Sequence, residues 1–299
     1  MIRRLAPLAL LVLAAHAGRP AALGAQQPPQ GEPIARGMAV DRDVSIRVFN
    51  LSGSIRVTGW NRDSIDVRGV IAPGGGRLFM GGGRRGVKLG VETASEVPTG
   101  TPPTTFELCV PAGARVWLKG SATALTVSAV TGELDLSTIS GAISVTGAPR
   151  QVSAESMNGR IEIAASAPVI RAKTADGEIV LRGAGGDIVA TSVSGPVRLL
   201  AARGVVAGRV ESVSGAVTFS GSVEGGGSLD LQTHDAPIEV TLATGQSAVV
   251  DVSAFRGRFT NGLAGAKRGA ATKWTRRFTL GSGEARIAIR SLKGDVTVR

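Results

Sequence analysis

A nine-residue repeat is the feature that most constrains the fold of this chain. From residue 125 to residue 199 a large aliphatic residue recurs at every ninth position, and an apolar or small residue follows two positions after each. Side chains two residues apart lie on the same face of a β-strand, so the pattern predicts short strands rather than helices. The aliphatic positions are Leu125, Leu134, Ile143, Val152, Ile161, Ile170, Ile179, Ile188 and Val197.

Alternate repeats resemble each other more than adjacent ones, which indicates a structural unit of about 18–21 residues. Two arrangements fit this double period. In an antiparallel meander the polar-glycine pairs between strands are hairpin turns. In a β-solenoid they are corners, and like strands stack in parallel; we favour this arrangement because it explains the double period. The pairs are Ser140-Gly141, Asn158-Gly159, Asp176-Gly177, Ser194-Gly195 and Ser214-Gly215.

The glycines of these pairs predict sharp corners, because glycine tolerates positive φ at little cost. A Ser or Thr lies two positions before each pair, and again before Asp235. We expect these hydroxyls to form a column in which each bonds the adjacent rung. The hydroxyl residues are Thr138, Ser156, Thr174, Ser192, Ser212 and Thr233.

The N-terminus predicts export. Residues 1–25 have the features of a secretory signal peptide, with Arg3 and Arg4 before an apolar core and cleavage expected after Ala17 or Ala25. The core is too short to span a bilayer, so no transmembrane segment is expected after cleavage. Residues 26–37 are predicted to be a flexible spacer, and residues 38–299 one all-β solenoid domain. These features predict a periplasmic or cell-surface protein.

Three segments resemble the bacterial putative-adhesin family of unknown function, which is related to the toast-rack domains of envelope-stress proteins. Phe49–Trp60, followed by Asp63–Val67, is similar to the opening of that family. Val110–Val116 is similar to its midpoint turn, and the Ser-Gly-x-Ile-x-Val repeats are similar to its C-terminal part. The resemblance covers residues 38–299 and implies an envelope β-solenoid without established catalytic residues or cofactors.

The charge is strongly positive, at a formal +11, which favours anionic partners such as lipopolysaccharide or acidic glycans. From Val252 to Gly283 no acidic residue occurs among seven basic ones, and a second basic patch lies near residue 85. These segments are candidates for binding phosphates or acidic glycans. The alternative is that they are solvated loops on a basic protein. The candidate binding residues are Arg256, Arg258, Lys267, Arg268, Lys273, Arg276, Arg277, Arg84, Arg85 and Lys88.

Other motifs point to no cofactor or metal. Gly81–Gly86 matches the dinucleotide pattern G-x-G-x-x-G, but the predicted strand Val87–Val91 stands where a helix is required, so we interpret the match as a flexible loop. Gly185–Asp187 is an isolated fragment of a calcium-binding repeat. His234 is the single histidine after the signal peptide, and Cys109 is interpreted as a small hydrophobic residue in a strand. Aromatic residues make up only 3%, which argues against stacking platforms for sugars or single-stranded nucleic acid.

The leading hypothesis is a non-enzymatic envelope protein that presents its surface to polymers or partner proteins. Val180 and Val189, expected to point outward, suggest a contact patch. The alternatives are an envelope-stress sensor or scaffold, and a polysaccharide-active enzyme. The enzyme requires paired acids, and its candidates Asp176 and Asp187 are explained equally well by corner and solvent positions.

Overall fold

The computed structural model of the protein describes residues 31–92 and 100–299, and every regular element in these ranges is a β-strand. The predicted signal peptide and residues 26–30 of the predicted spacer lie outside the described residues. The 23 strands join into one hydrogen-bonded sheet. They are β1 (Glu32–Ala39), β2 (Ser45–Trp60), β3 (Ser64–Ile71), β4 (Arg77–Gly83), β5 (Gly86–Glu92), β6 (Thr104–Pro111), β7 (Arg115–Ser128), β8 (Glu133–Thr138), β9 (Ile143–Gly147), β10 (Gln151–Ser156), β11 (Ile161–Ala165), β12 (Val169–Thr174), β13 (Ile179–Arg182), β14 (Gly186–Ser192), β15 (Val197–Ser212), β16 (Val217–Thr233), β17 (Ile238–Leu242), β18 (Ala248–Ala254), β19 (Phe259–Asn261), β20 (Lys267–Ala271), β21 (Thr275–Leu280), β22 (Ala285–Ser291) and β23 (Val296–Val298).

The strands form two ladders that share the long strands β2, β7, β15 and β16. The first ladder runs β4–β5–β2–β7–β8–β10–β12–β14–β15–β16–β22–β18–β21–β20. The second runs β1–β3–β6–β2–β7–β9–β11–β13–β15–β16–β17–β23–β19. From β8 to β14 the chain therefore alternates between the ladders.

The register agrees with the double period of the sequence. Val152 pairs with Leu134 and Ile170 in parallel, and Ile161 pairs with Ile143 and Ile179 in the other ladder. Each of these partners is 18 positions away, as the repeat predicted. The antiparallel meander is wrong for this region, because its strands pair in parallel with their like neighbours.

The predicted aliphatic positions form the core. All nine from Leu125 to Val197 are at most 2% exposed, and so are the residues two positions after them. Burial of aliphatic side chains supplies most of the driving force for folding, at about 25 cal/mol per Å² of apolar surface. Phe106 and Phe219 are the largest fully buried side chains among the described residues.

The corner glycines have a different role from the one predicted. None of the five adopts a left-handed φ. Instead, a Cβ atom built on Gly159, Gly177, Gly195 or Gly215 would come within 3.0 Å of the carbonyl oxygen of the preceding glycine in the series. The corners thus require glycine because consecutive turns of backbone stack too closely for a side chain.

The hydroxyl column is confirmed. Ser156, Thr174, Ser192 and Ser212 are buried, and each donates a hydrogen bond to a carbonyl of the preceding turn, at 3.2–3.4 Å. Most also accept the backbone N–H of the glycine three positions later, as Thr174 does from Gly177 at 3.0 Å. Each hydroxyl therefore stabilises its own corner and also links that corner to the preceding one.

Three expectations about loops and the spacer are wrong. Residues 32–37 of the predicted spacer belong to β1, which pairs antiparallel with β3 along its whole length. Its sequence gives no alternating pattern because Ile34 is its only buried residue. Gly81–Gly83 end β4, which forms a hairpin with β5 instead of a flexible loop. The basic segment after Val252 likewise contains strands.

The predicted contact patch is also wrong, since Val180 is only 1% exposed. Its ladder neighbours are Glu162 and Arg198. These form ion pairs at 3.3 Å with Arg182 and Glu178, so long charged side chains flank the valine on both sides.

Candidate anion-binding site

The predicted basic segment folds as an antiparallel hairpin at one edge of the first ladder. Strand β21 pairs antiparallel with both β18 and β20, so β20 is the terminal strand. Val250, Val252 and Phe278 are buried and attach the hairpin to the core, whereas every residue of β20 is exposed. We call β20, β21 and residues 272–274 between them the basic hairpin. Side chains alternate between the two faces of β21, so Arg277 lies on the face opposite Phe278, whereas Arg276 lies on the same face as Phe278.

Three predicted residues, Arg268, Arg276 and Arg277, line one cleft of the basic hairpin. The cleft has a volume of about 330 Å³. Two aromatic rings, Phe259 and Phe278, also line it, with centroids 5.6 Å apart. A cleft of this kind offers guanidinium donors beside an apolar wall, which suits an oxyanion such as a carboxylate or phosphate.

The three guanidinium groups differ in how far their charge is already compensated. Arg277 forms a two-point ion pair with Asp251, with Nε at 2.6 Å and Nη2 at 3.0 Å from the carboxylate oxygens, and this contact raises the pKa of Arg277. Arg276 donates to the backbone carbonyls of Thr272 and Thr275, which orients its guanidinium without neutralising it. In the described part of the chain, Arg268 and Arg276 have no carboxylate within ion-pair distance.

The remaining cations of the segment lie on the basic hairpin or next to it in sequence. Arg258 lies 3.5 Å from Asp295, whereas Arg256, Lys267 and Lys273 have no such partner among the described residues. Lys273 instead places its ammonium 4.3 Å from the centroid of the Trp274 ring. The uncompensated charge is therefore concentrated on the hairpin and its flanks.

The second predicted patch lies at the opposite edge of the same ladder. Arg84 and Arg85, in the turn of the β4–β5 hairpin, both lie within 4.0 Å of Asp41. Lys88 lies 5.2 Å from the ring of Phe49. At about 4.8 Å per strand, the succession from β5 to β21 separates the patches by roughly 50 Å. The sequence did not indicate this separation, and the two patches form no common site.

The described residues contain no group of three or more His, Cys, Asp or Glu side chains placed to hold a metal ion. In those same ranges no helix is long and apolar enough to cross a membrane. Cys109 is a half-buried free thiol in β6.

The partner Asp251 and the aromatic wall of the cleft were missed by sequence reasoning. Asp251 lies just before the acid-free segment, and only the antiparallel register, which places it opposite Arg277, reveals the pair. Phe259 and Phe278 are 19 positions apart, and they meet because β19 and β21 lie at the same end of the molecule.

No family model and no curated protein matches the chain. Solved structures with a similar fold include a putative adhesin from Bacteroides fragilis, at 10% identity and a TM-score of 0.44, covering 91% of this chain and 99% of that one. A putative adhesin from Parabacteroides distasonis matches at 10% identity and a TM-score of 0.41, covering 91% and 98%.

A putative lipid binding protein from Parabacteroides distasonis matches at 9% identity and a TM-score of 0.38, covering 90% of this chain and 97% of that one. Two of these three structural neighbours are thus named as putative adhesins. At these identities the likeness concerns the fold alone.

Proposed function

We propose that this protein is a secreted, non-enzymatic β-solenoid of the cell envelope whose basic hairpin binds an anionic surface polymer, either lipopolysaccharide or an acidic glycan. The alternation of the chain between two parallel ladders from β8 to β14 supports the solenoid. The envelope location rests on the predicted signal peptide.

The observation that carries the proposal is that carboxylates compensate the positive charges of the cleft arginines unequally. Arg277 is neutralised by Asp251, whereas Arg268 and Arg276 line the same cleft without a carboxylate partner in the described ranges. Like charges that line one cleft repel each other, and an anion bound between them would relieve that repulsion. A carboxylate or phosphate of a polymer would supply that anion and accept several guanidinium hydrogen bonds.

Binding to soluble polymers tests the proposal. We expect the protein to bind lipopolysaccharide or polygalacturonate, but not neutral dextran, with an affinity that falls as salt increases. Replacing Arg268 and Arg276 by Ser should weaken binding about tenfold or more, since each removes charge-assisted hydrogen bonds. Arg277 is left in place because its removal would leave Asp251 without its partner.

The matched control replaces Arg150 and Arg171 by Ser, which removes the same formal charge at exposed positions that have no carboxylate partner among the described residues. This variant should retain its affinity. Equal weakening in both variants would show that net charge, and not the cleft, controls binding, and absence of any binding at low salt would contradict the proposal. Thermal unfolding of each variant verifies that the fold is intact.

A further inference from the structure

A line of exposed apolar side chains runs along the corner between the two ladders. The residue that follows each buried hydroxyl of the column points to solvent, and most of these residues are apolar. With the two aromatic residues at the C-terminal end they form what we call the apolar row. Each is 36–57% exposed: Ile139, Met157, Val193, Val213, Leu292, Phe255 and Trp274.

Backbone hydrogen bonds stack the members of the row on one another in register. Met157 N–H donates to the carbonyl of Ile139 at 3.1 Å, and Val213 N–H donates to that of Val193 at 3.1 Å. Ala175 and His234 occupy the two intervening corners. Because successive strands are about 4.8 Å apart, the row is roughly 40 Å long and one side chain wide.

The C-terminal end of the row is both aromatic and cationic. Phe255 and Trp274 stack with ring centroids 4.6 Å apart. A cavity of about 260 Å³ lies beside them and is lined by both rings and by Leu292. Lys273 and Arg256, next to the two rings in sequence, have no carboxylate partner in the part of the chain that the structure describes.

The acidic residues near the row have polar partners of their own. Asp235 contacts His234 at 2.6 Å and Lys293 at 3.0 Å. Asp176 accepts a hydrogen bond from Ser194 at 2.6 Å. Lys293 thus compensates the charge of Asp235, whereas Asp176 keeps its negative charge, and the cations without a carboxylate partner among the described residues lie at the aromatic end of the row.

We propose that the apolar row is a membrane-contacting edge that lies on an anionic lipid surface. A single file of exposed apolar side chains at successive corners suits contact with an extended surface. The side chains enter the interface, where aromatic rings are favourable, while Arg256 and Lys273 meet the phosphates. A protein partner fits less well, since a standard interface uses about 20–30 residues a side.

This inference does not depend on the proposed function, because the row and the cleft of the basic hairpin use different residues. The test measures partitioning of the full chain to vesicles of phosphatidylethanolamine and phosphatidylglycerol, and to vesicles of phosphatidylcholine alone. The protein should bind the anionic vesicles, with a blue shift of tryptophan emission that the Trp274→Phe variant lacks. Replacing Val193 and Val213 by Ser, or Phe255 and Trp274 by Ser, should weaken partitioning about tenfold.

Two exposed residues away from the row provide the matched control. Val206, at the opposite corner in β15, and Trp117, on the outer side of β7, are each 50% exposed. Replacing both by Ser should leave partitioning unchanged. Row variants should also retain binding to polygalacturonate, which keeps this test separate from that of the cleft.

Three results would overturn the inference. The first is wild-type protein that ignores anionic vesicles. The second is equal partitioning of the row variants and the wild type. The third is a wild-type dimer that the row variants dissociate without any change in vesicle binding, which would assign the row to a second copy of the chain.

Discussion

Gly177 stacks directly on Gly159 at the corner between the ladders, so closely that a Cβ atom on Gly177 would lie within 3.0 Å of the Gly159 carbonyl oxygen. The same contact recurs at Gly195 and Gly215. The backbones of successive corners are therefore in close contact along the whole series. Any side chain at these positions forces two consecutive turns apart.

We expect Gly177→Ala to lower the free energy of unfolding by about 1–3 kcal/mol, the usual cost of forcing an extra carbon into a packed site. Urea denaturation measures this change. Gly81→Ala is the control, because a Cβ atom there meets nothing within 4 Å. Similar stability of the two variants would show that the corner relaxes without cost.

The hydroxyl column leads to a second prediction. Thr174→Val keeps the shape of the side chain but removes the donor to Met157 and the acceptor of the Gly177 N–H. The Met157 carbonyl keeps its hydrogen bonds from the N–H groups of Ala175 and Asp176, so the cost comes mainly from the Gly177 N–H, which loses its acceptor. We expect the free energy of unfolding, measured by urea denaturation, to fall by about 1–3 kcal/mol.

Thr131→Val is the matched control for this change. Its hydroxyl also donates to a backbone carbonyl, that of Ala112, but at an exposed position where water can replace it. The control should change stability by much less. If Thr131→Val cost as much as Thr174→Val, burial of the column would not explain its role.

The periodic part of the fold was predictable because the positions of the aliphatic residues in each repeat determine how its strands align with their neighbours. Ile161 and the residues 18 positions on either side all point inward, and a slip by one residue would turn every one of them to solvent. Strand β1 could not be predicted in this way. It is an edge strand with one buried residue, and its position is fixed by backbone pairing with β3.

The candidate site was predictable in composition but not in geometry. An acid-free run identified Arg268 and Arg276, whereas the pairing of Arg277 with Asp251 depends on an antiparallel register that the repeat does not contain. The apolar row was missed for a different reason. Its members follow the hydroxyl column at the repeat spacing, but exposed apolar residues are common on protein surfaces, so only their alignment is informative.

The core rungs lead to a third prediction. Ile161 is fully buried, so Ile161→Ala should lower the free energy of unfolding by about 2–5 kcal/mol through loss of burial and the cavity left behind. Ile139→Ala, at a position 50% exposed, should cost far less. Denaturant unfolding of both variants provides the comparison, and equal effects would contradict the assignment of inward and outward positions.

The last prediction concerns acid. The pKa of Asp235 is lowered below its ordinary value of 3.8, first by the hydrogen bond from Lys293 and then by that from His234. Because the folded state binds this proton less tightly than the unfolded state, Asp235 contributes to stability at pH values above 3.8 and loses that contribution as the pH falls through the lowered pKa. An NMR titration of the carboxyl group should give a midpoint below 3.8. Lys293→Met should move the midpoint upward, and His234→Gln should move it less, since Lys293 has the larger effect. An unchanged midpoint in Lys293→Met would show that the ammonium group does not hold the carboxylate.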